Sequence, residues 1–126
     1  PYLVAEEDGR VTGFAYCNWF KPRPAYRYSA EDSIYVADHA RGRGLGRLLL
    51  DALAEHAQAA GVRKLLAVIG DSVSGPPVNA RSIASHRPAG FTEAGVMRSV
   101  GRKFGACLDI VLMEKPLGAG DTTAPE

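Results

Sequence analysis

Arg41-Gly42-Arg43-Gly44-Leu45-Gly46 is the stretch on which the fold turns. It follows a short apolar, β-branched run, Ser33-Ile34-Tyr35-Val36, and leads into a segment of helical period. From Leu45 to Ala60, the polar residues Arg47, Asp51, Glu55 and Gln58 recur at i+4, i+4 and i+3. Leu48, Leu49, Ala52, Leu53 and Ala57 face the other way. Glycines let a backbone turn tightly and approach a ligand. No Ser, Thr, Asp or Asn precedes the helix to cap it, so its first N–H groups lack a side-chain partner. An anion, above all a phosphate, satisfies such groups and suits the positive end of the helix dipole. Arg41, Arg43 and Arg47 add charge beside them.

The loop is not a P-loop, because the Gly-Lys-Ser/Thr ending is absent. It is not a dinucleotide fingerprint either. The third glycine, Gly46, comes one residue early, and the next strand offers no acid around Ala67.

On the helix's far side, Gly61 marks the stop, and Leu65-Leu66-Ala67-Val68-Ile69 reads as a strand buried on both faces. Asp71 to Val78 is a loop. Asn79 to His86 reads as a short helix, which Pro88 ends. Phe91–Val100 and Leu108–Met113 form two last strands around a Gly101/Gly105 turn. Toward the N-terminus, Leu3-Val4-Ala5 and Val11–Phe20 form a hairpin across Asp8-Gly9, and Lys21-Pro22-Arg23-Pro24 breaks the second strand. The order β-β-β-α-β-α-β-β predicts an α/β (α+β) domain, with one parallel crossover in a mixed, mostly antiparallel sheet.

Composition excludes several classes. The 126 residues suit one domain with a real core. Fifteen Lys+Arg against 14 Asp+Glu leave a net charge of +1, which supplies no bulk field for nucleic acid or a membrane. No apolar run approaches the roughly 20 residues of a spanning helix. Cys17 and Cys107 read as reduced thiols, implying a cytoplasmic protein. His39 and His56 lack metal-ligand spacing with any Cys or acid, so no metal is expected. Phe14, Tyr16 and Trp19 are expected in the core.

Arg41-x-x-Gly44-x-Gly46 after a Val-containing strand resembles the pyrophosphate loop of the GCN5-related N-acetyltransferases. The likeness continues through Ala30–Val36, Leu66–Ser72, Asn79-x-x-Ser82-Ile83-x-x-His86-x-x-x-Gly90-Phe91, and Val100-Gly101-x-Lys103-Phe104-Gly105-x-x-Leu108-Asp109. Together these are similar to the phosphinothricin N-acetyltransferase branch. That family's domain opens with a strand and two helices ahead of the strand that here starts at Tyr2. The resemblance therefore implies an N-terminally incomplete domain over residues 1–117 and a flexible tail over 118–126.

The resemblance implies acetyl transfer from acetyl-CoA to the α-amine of a small glutamate- or methionine-like compound, in a homodimer. The alternative is a degenerate module that binds acyl-CoA without catalysis. By family likeness, the backbones of Ile34, Tyr35 and Val36 meet the pantetheine arm. Arg41, Gly42, Arg43, Gly44, Leu45, Gly46 and Arg47 hold the pyrophosphate, and Asn79 contacts the CoA arm while also capping its helix. An ammonium must lose a proton before it attacks a thioester, and a carboxylate can take it. Glu31, read as lying in a polar turn with Asp32 just before the central strand, matches the family's base. A strand N–H near Val36 suits the oxyanion. His86 is the candidate acid at the leaving thiolate, or a second base. Arg23 and Tyr26 match the substrate side, where a guanidinium suits a carboxylate or phosphinate. Lys103 and Phe104 are assigned to the substrate mouth or a dimer contact. Ser74–Val78 reads as an insertion before Asn79.

Overall fold

The computed structural model describes residues 1–72, 80–103 and 105–124. The expected element order is found. Six strands, β1 (Tyr2–Glu7), β2 (Arg10–Trp19), β3 (Ser29–Val36), β4 (Lys64–Ser72), β5 (Thr92–Lys103) and β6 (Ala106–Pro116), form one sheet in the order β1-β2-β3-β4-β6-β5. Among the described residues only β3 and β4 pair in parallel, and α1 (Leu45–Ala59) crosses between them. The second helix, α2 (Ala80–His86), links β4 to β5 and stops before Arg87-Pro88.

Both helices pack on one face of the sheet. Leu49, Leu53 and Ala57 are buried at i+4 spacing, with Leu50 and Ala54 beside them. The buried stripe is rotated from the expected one, and Leu48 is 64% exposed. The core joins Leu50, Ala54, Ala57, Val62, Leu65, Ala67, Ile69, Phe91 and Met113. A second cluster forms where Ala15 meets Leu49 and Leu53. The helix ends in a Schellman motif: Val62 N–H donates to Ala57 O at 2.9 Å and Gly61 N–H to Gln58 O at 3.0 Å.

Three expectations are corrected. Glu31 and Asp32 lie inside β3, paired with Asn18 and Cys17 of β2, and not in a turn ahead of it. Alternation then sends the two carboxylates to opposite faces of the sheet. The β4 strand is buried on one face only: Leu65, Ala67 and Ile69 sit under the helices, while Val68 is 37% exposed. Phe14 and Tyr16 leave the core for the same reason of period, since Ala15 and Cys17 take the helix side. They stack on the opposite face with Tyr2 and Tyr35, and Trp19, near the end of β2, is 64% exposed.

Residues Gly118–Ala124, expected as a flexible tail, turn back on the start of β4. Arg63 donates to Ala119 O at 3.2 Å and to Thr123 Oγ1 at 2.6 Å, and Lys64 Nζ lies 2.7 Å from Asp121.

Candidate functional site

The parallel pair β3–β4 is short. Ser29, Ala30 and Glu31 pair with Lys64, Leu65 and Leu66, and there the ladder ends. Each strand continues with its other neighbour, β3 to Val36 along β2 and β4 to Ser72 along β6. The two strands part like a fork whose apex is Glu31–Leu66. The fork encloses a cleft of about 220 Å³ lined by Glu31, Ser33, Tyr35, Val68, Gly70 and Ser82, among others. Among the described residues no strand pairs with the inner edge of β3 beyond Glu31, so an extended ligand carrying amides can take that place.

The loop Arg41–Gly46 and the start of α1 stand at the open end of the fork. A Cβ on Gly46 would lie 2.8 Å from Ser85 Oγ of α2 and 3.8 Å from Ile34 Cδ1 of β3. Gly46 therefore also allows α1 to close against α2, a role the loop motif alone does not show. Gly44 occupies the N-cap position at φ +76°, a conformation that favours glycine, and gives no side-chain cap. The first turn of α1 holds no acid and, as expected, no side-chain cap; N–H groups so placed suit an anion.

All three loop arginines meet carboxylates. Arg43 grips Glu7 through two bonds of 3.0 and 2.8 Å, Arg41 Nε lies 3.2 Å from Asp38, and Arg47 Nε lies 3.6 Å from Asp51. These pairs are exposed, and exposed pairs exchange readily for a better anion. Glu7 was not foreseen: it lies 36 residues from Arg43, and no local pattern links them.

Glu31 is half-buried at the apex. Burial, and secondly the charge of Asp32, push its carboxyl above the usual 4.5. On the other face of β3, Asp32 meets His86. Its Oδ1 and Oδ2 each lie 3.0 Å from His86 Nε2, while Nδ1 donates to the Ser82 carbonyl at 2.6 Å. The His86 ring also meets Phe91 edge-on. His86 is 1% exposed. His86 and Asp32 themselves line the cleft, and with both nitrogens on acceptors His86 can serve there as a proton donor only by giving up its bond to Asp32 or to Ser82. Asp32 was missed as a functional residue, because its partner is 54 residues away.

Arg23 and Tyr26 lie in the β2–β3 connection, on a 3-10 turn over Pro24–Tyr26. Tyr26 packs edge-on against Phe20, and Lys21 Nζ lies over both rings at 5.3 and 5.5 Å. The connection starts at Phe20, whose N–H bonds Ser29 O two residues before Glu31. Asn79, Phe104 and the Ser74–Val78 segment lie outside the described residues. Among the described residues no cluster of three or more His, Cys, Asp or Glu has metal-binding geometry, and no helix is long and apolar enough to cross a membrane.

Comparison with known proteins agrees with this geometry. Residues 1–91 match the model of the acetyltransferase (GNAT) family. A phosphinothricin N-acetyltransferase of Alcaligenes faecalis is 49% identical over 126 residues, which are 100% of this chain and 61% of that protein. An L-methionine sulfoximine/L-methionine sulfone acetyltransferase of Pseudomonas paraeruginosa is 42% identical over 115 residues, 90% of this chain and 63% of that one. Among solved structures, a phosphinothricin acetyltransferase of Sinorhizobium meliloti in complex with AcCoA superposes with a TM-score of 0.90. It is 43% identical, and the match covers 100% of this chain and 65% of that one. The chain thus spans about three fifths of the length of these relatives. By that family match and those identities, the chain belongs to the acetyltransferase (GNAT) family.

Proposed function

We propose that this chain carries an acetyl-CoA-dependent N-acetyltransferase site acting on the α-amine of a small amino-acid-like substrate, of the phosphinothricin or methionine sulfoximine kind. The observation that carries the reading is the fork, with a carboxylate at its apex and anion-ready helix amides at its mouth. Acetyl-CoA, when bound, supplies the activated acetyl group. The α1 amides and Arg41, Arg43 and Arg47 hold its pyrophosphate. The inner edge of β3 along Ile34, Tyr35 and Val36, where alternation points the backbone groups of Ile34 and Val36 away from β2, bonds the pantetheine amides, and an N–H of that edge meets the oxyanion. Asn79 is assigned to the CoA arm by family likeness.

Glu31 takes one proton of the substrate ammonium, freeing the lone pair that attacks the acetyl carbonyl; as the C–S bond breaks, CoA leaves as its thiolate and takes up the second proton that the new C–N bond sheds. A carboxyl raised above its usual range is a stronger base toward that proton. Arg23 and Tyr26 bind the substrate's acidic group, which a guanidinium can grip through two bonds. The relatives' names support this substrate class. We place the protein in the cytoplasm, where Cys17 and Cys107 stay reduced, as a homodimer.

Thiol release from acetyl-CoA across a panel of α-amino acids tests the function. Release with phosphinothricin or methionine sulfoximine is expected; binding of acetyl-CoA with no release for any amine would leave only a binding module. Two substitutions test the loop. Gly44→Val forces a β-branched residue to φ +76°, a strain of about 1–2 kcal/mol, and should abolish the thermal protection that acetyl-CoA gives. Glu7→Gln releases Arg43 and removes a competing carboxylate. Titration calorimetry should find acetyl-CoA binding a few-fold tighter; weaker binding would mean that Glu7 instead holds Arg43 in its working position.

A further inference from the structure

The Asp32–His86 contact is the buried polar link between β3 and α2, and the acetyl-transfer reading does not use it. The pair sits at the fork. Asp32 is the neighbour of Glu31 on the opposite face of β3, and His86 is the last residue of α2, whose Ser82 lines the same cleft. Side-chain exposure is 1% for His86 and 3% for Asp32.

The hydrogen bonds fix the charge state. The Ser82 carbonyl can only accept, so Nδ1 carries a proton. Nε2 stands 3.0 Å from both oxygens of Asp32. A protonated carboxyl would direct its O–H from one oxygen only, so the symmetric approach matches a carboxylate accepting from an N–H. With both ring nitrogens donating, His86 would be an imidazolium. Burial alone pulls the His86 proton off; the bond and charge of Asp32 and the Ser82 carbonyl outweigh it, so the group stands above its usual 6.5.

The surroundings supply little else to offset Asp32. From β2, Cys17 faces it across the strand pair. From β3, Glu31 is its neighbour. Lys115 of β6 donates to Ala89 O at 2.6 Å, just beyond α2. On α1, Arg47 pairs with Asp51. At the start of β4, Lys64 is held by Glu114 and Asp121.

We propose that Asp32 and His86 form a charged positioning pair, which ties α2 to the Glu31-bearing strand and offsets part of the field that the adjacent Asp32 carboxylate exerts at Glu31. The pair acts on the reaction only through Glu31, so this inference rests on Glu31 being the base. Without the imidazolium, the Asp32 charge opposes ionisation of Glu31. Glu31 then holds its proton to higher pH.

Two measurements on the full chain test this. The first needs no turnover: side-chain ¹⁵N NMR of His86, assigned by its loss in His86→Gln. Both nitrogens should carry protons at about pH 6.5, the usual histidine value, and Asp32→Asn should leave only Nδ1 protonated there. A neutral wild-type ring at that pH would overturn the charged pair. The second is the pH profile of kcat/KM. His86→Gln should move the acid limb up by about one pH unit with little change in the KM for acetyl-CoA. A limb that stays in place while kcat falls would refute the coupling to Glu31. Glu31→Gln separates this from the underlying reading. If the acid limb survives in Glu31→Gln, Glu31 is not the base, and the coupling fails with it. If the limb vanishes there but His86→Gln leaves it unmoved, the pair proposal alone fails.

Discussion

Glu31→Gln is expected to lower kcat by about 10²–10⁴-fold, with acetyl-CoA affinity held within a few-fold. The split follows from position. Glu31 is at the apex of the β3–β4 fork, whereas the uncapped helix start and the arginines stand at its mouth. Gln keeps the size and the hydrogen-bonding reach of Glu31 but cannot take a proton. Stopped-flow thiol release and calorimetry with acetyl-CoA read the two quantities separately. Equal losses in both would mean that Glu31 supports the fold rather than the reaction. On the proposed function, the wild-type chain should lose kcat/KM as pH falls through the raised Glu31 value, above the usual 4.5, because the protonated acid has no capacity to accept.

Asp32→Ala is expected to lose about 3 kcal/mol of stability, at the low end of what breaking a buried pair costs because His86 can shed its proton. That is a large part of the 5–15 kcal/mol typical of a domain. The variant strands the buried imidazole of His86 with its Ser82 partner alone. The pH dependence has a definite sign. His86 is raised in the folded chain above its usual 6.5, so its contribution is fully present below about pH 6.5 and fades as pH rises through the folded value. The gap in urea midpoint between wild type and Asp32→Ala should therefore narrow on going from pH 6.5 to alkaline pH. A gap that widens with pH would mean that His86 is buried neutral.

Local patterns made much of this legible. The 3.6-residue period located α1, Gly61 its end and Pro88 the end of α2. Asp8-Gly9 located the first hairpin, and the missing cap before Leu45 located the anion-ready helix start. Long-range pairings were not legible. The Asp32–His86 and Arg43–Glu7 contacts join residues 54 and 36 positions apart. The contact between Gly46 and Ser85 depends on how two helices cross. The boundary of β3 was misjudged because Glu31-Asp32 is polar and reads as a turn. In the folded chain both carboxylates belong to a strand, one facing the apex of the fork and the other His86. Period-2 alternation explains the aromatic error in the same terms. Phe14 and Tyr16 fall on the face away from the helices once Ala15 and Cys17 are fixed beneath them.

Amide hydrogen exchange on the full chain, with and without acetyl-CoA, tests the fork most directly. Bound acetyl-CoA should slow exchange at the inner edge of β3, over residues 33–36, and at the start of α1, over residues 44–48, while the β5–β6 hairpin changes little. Protection confined to other elements, or none at saturating acetyl-CoA, would contradict the placement of the acetyl-transfer site in the β3–β4 fork.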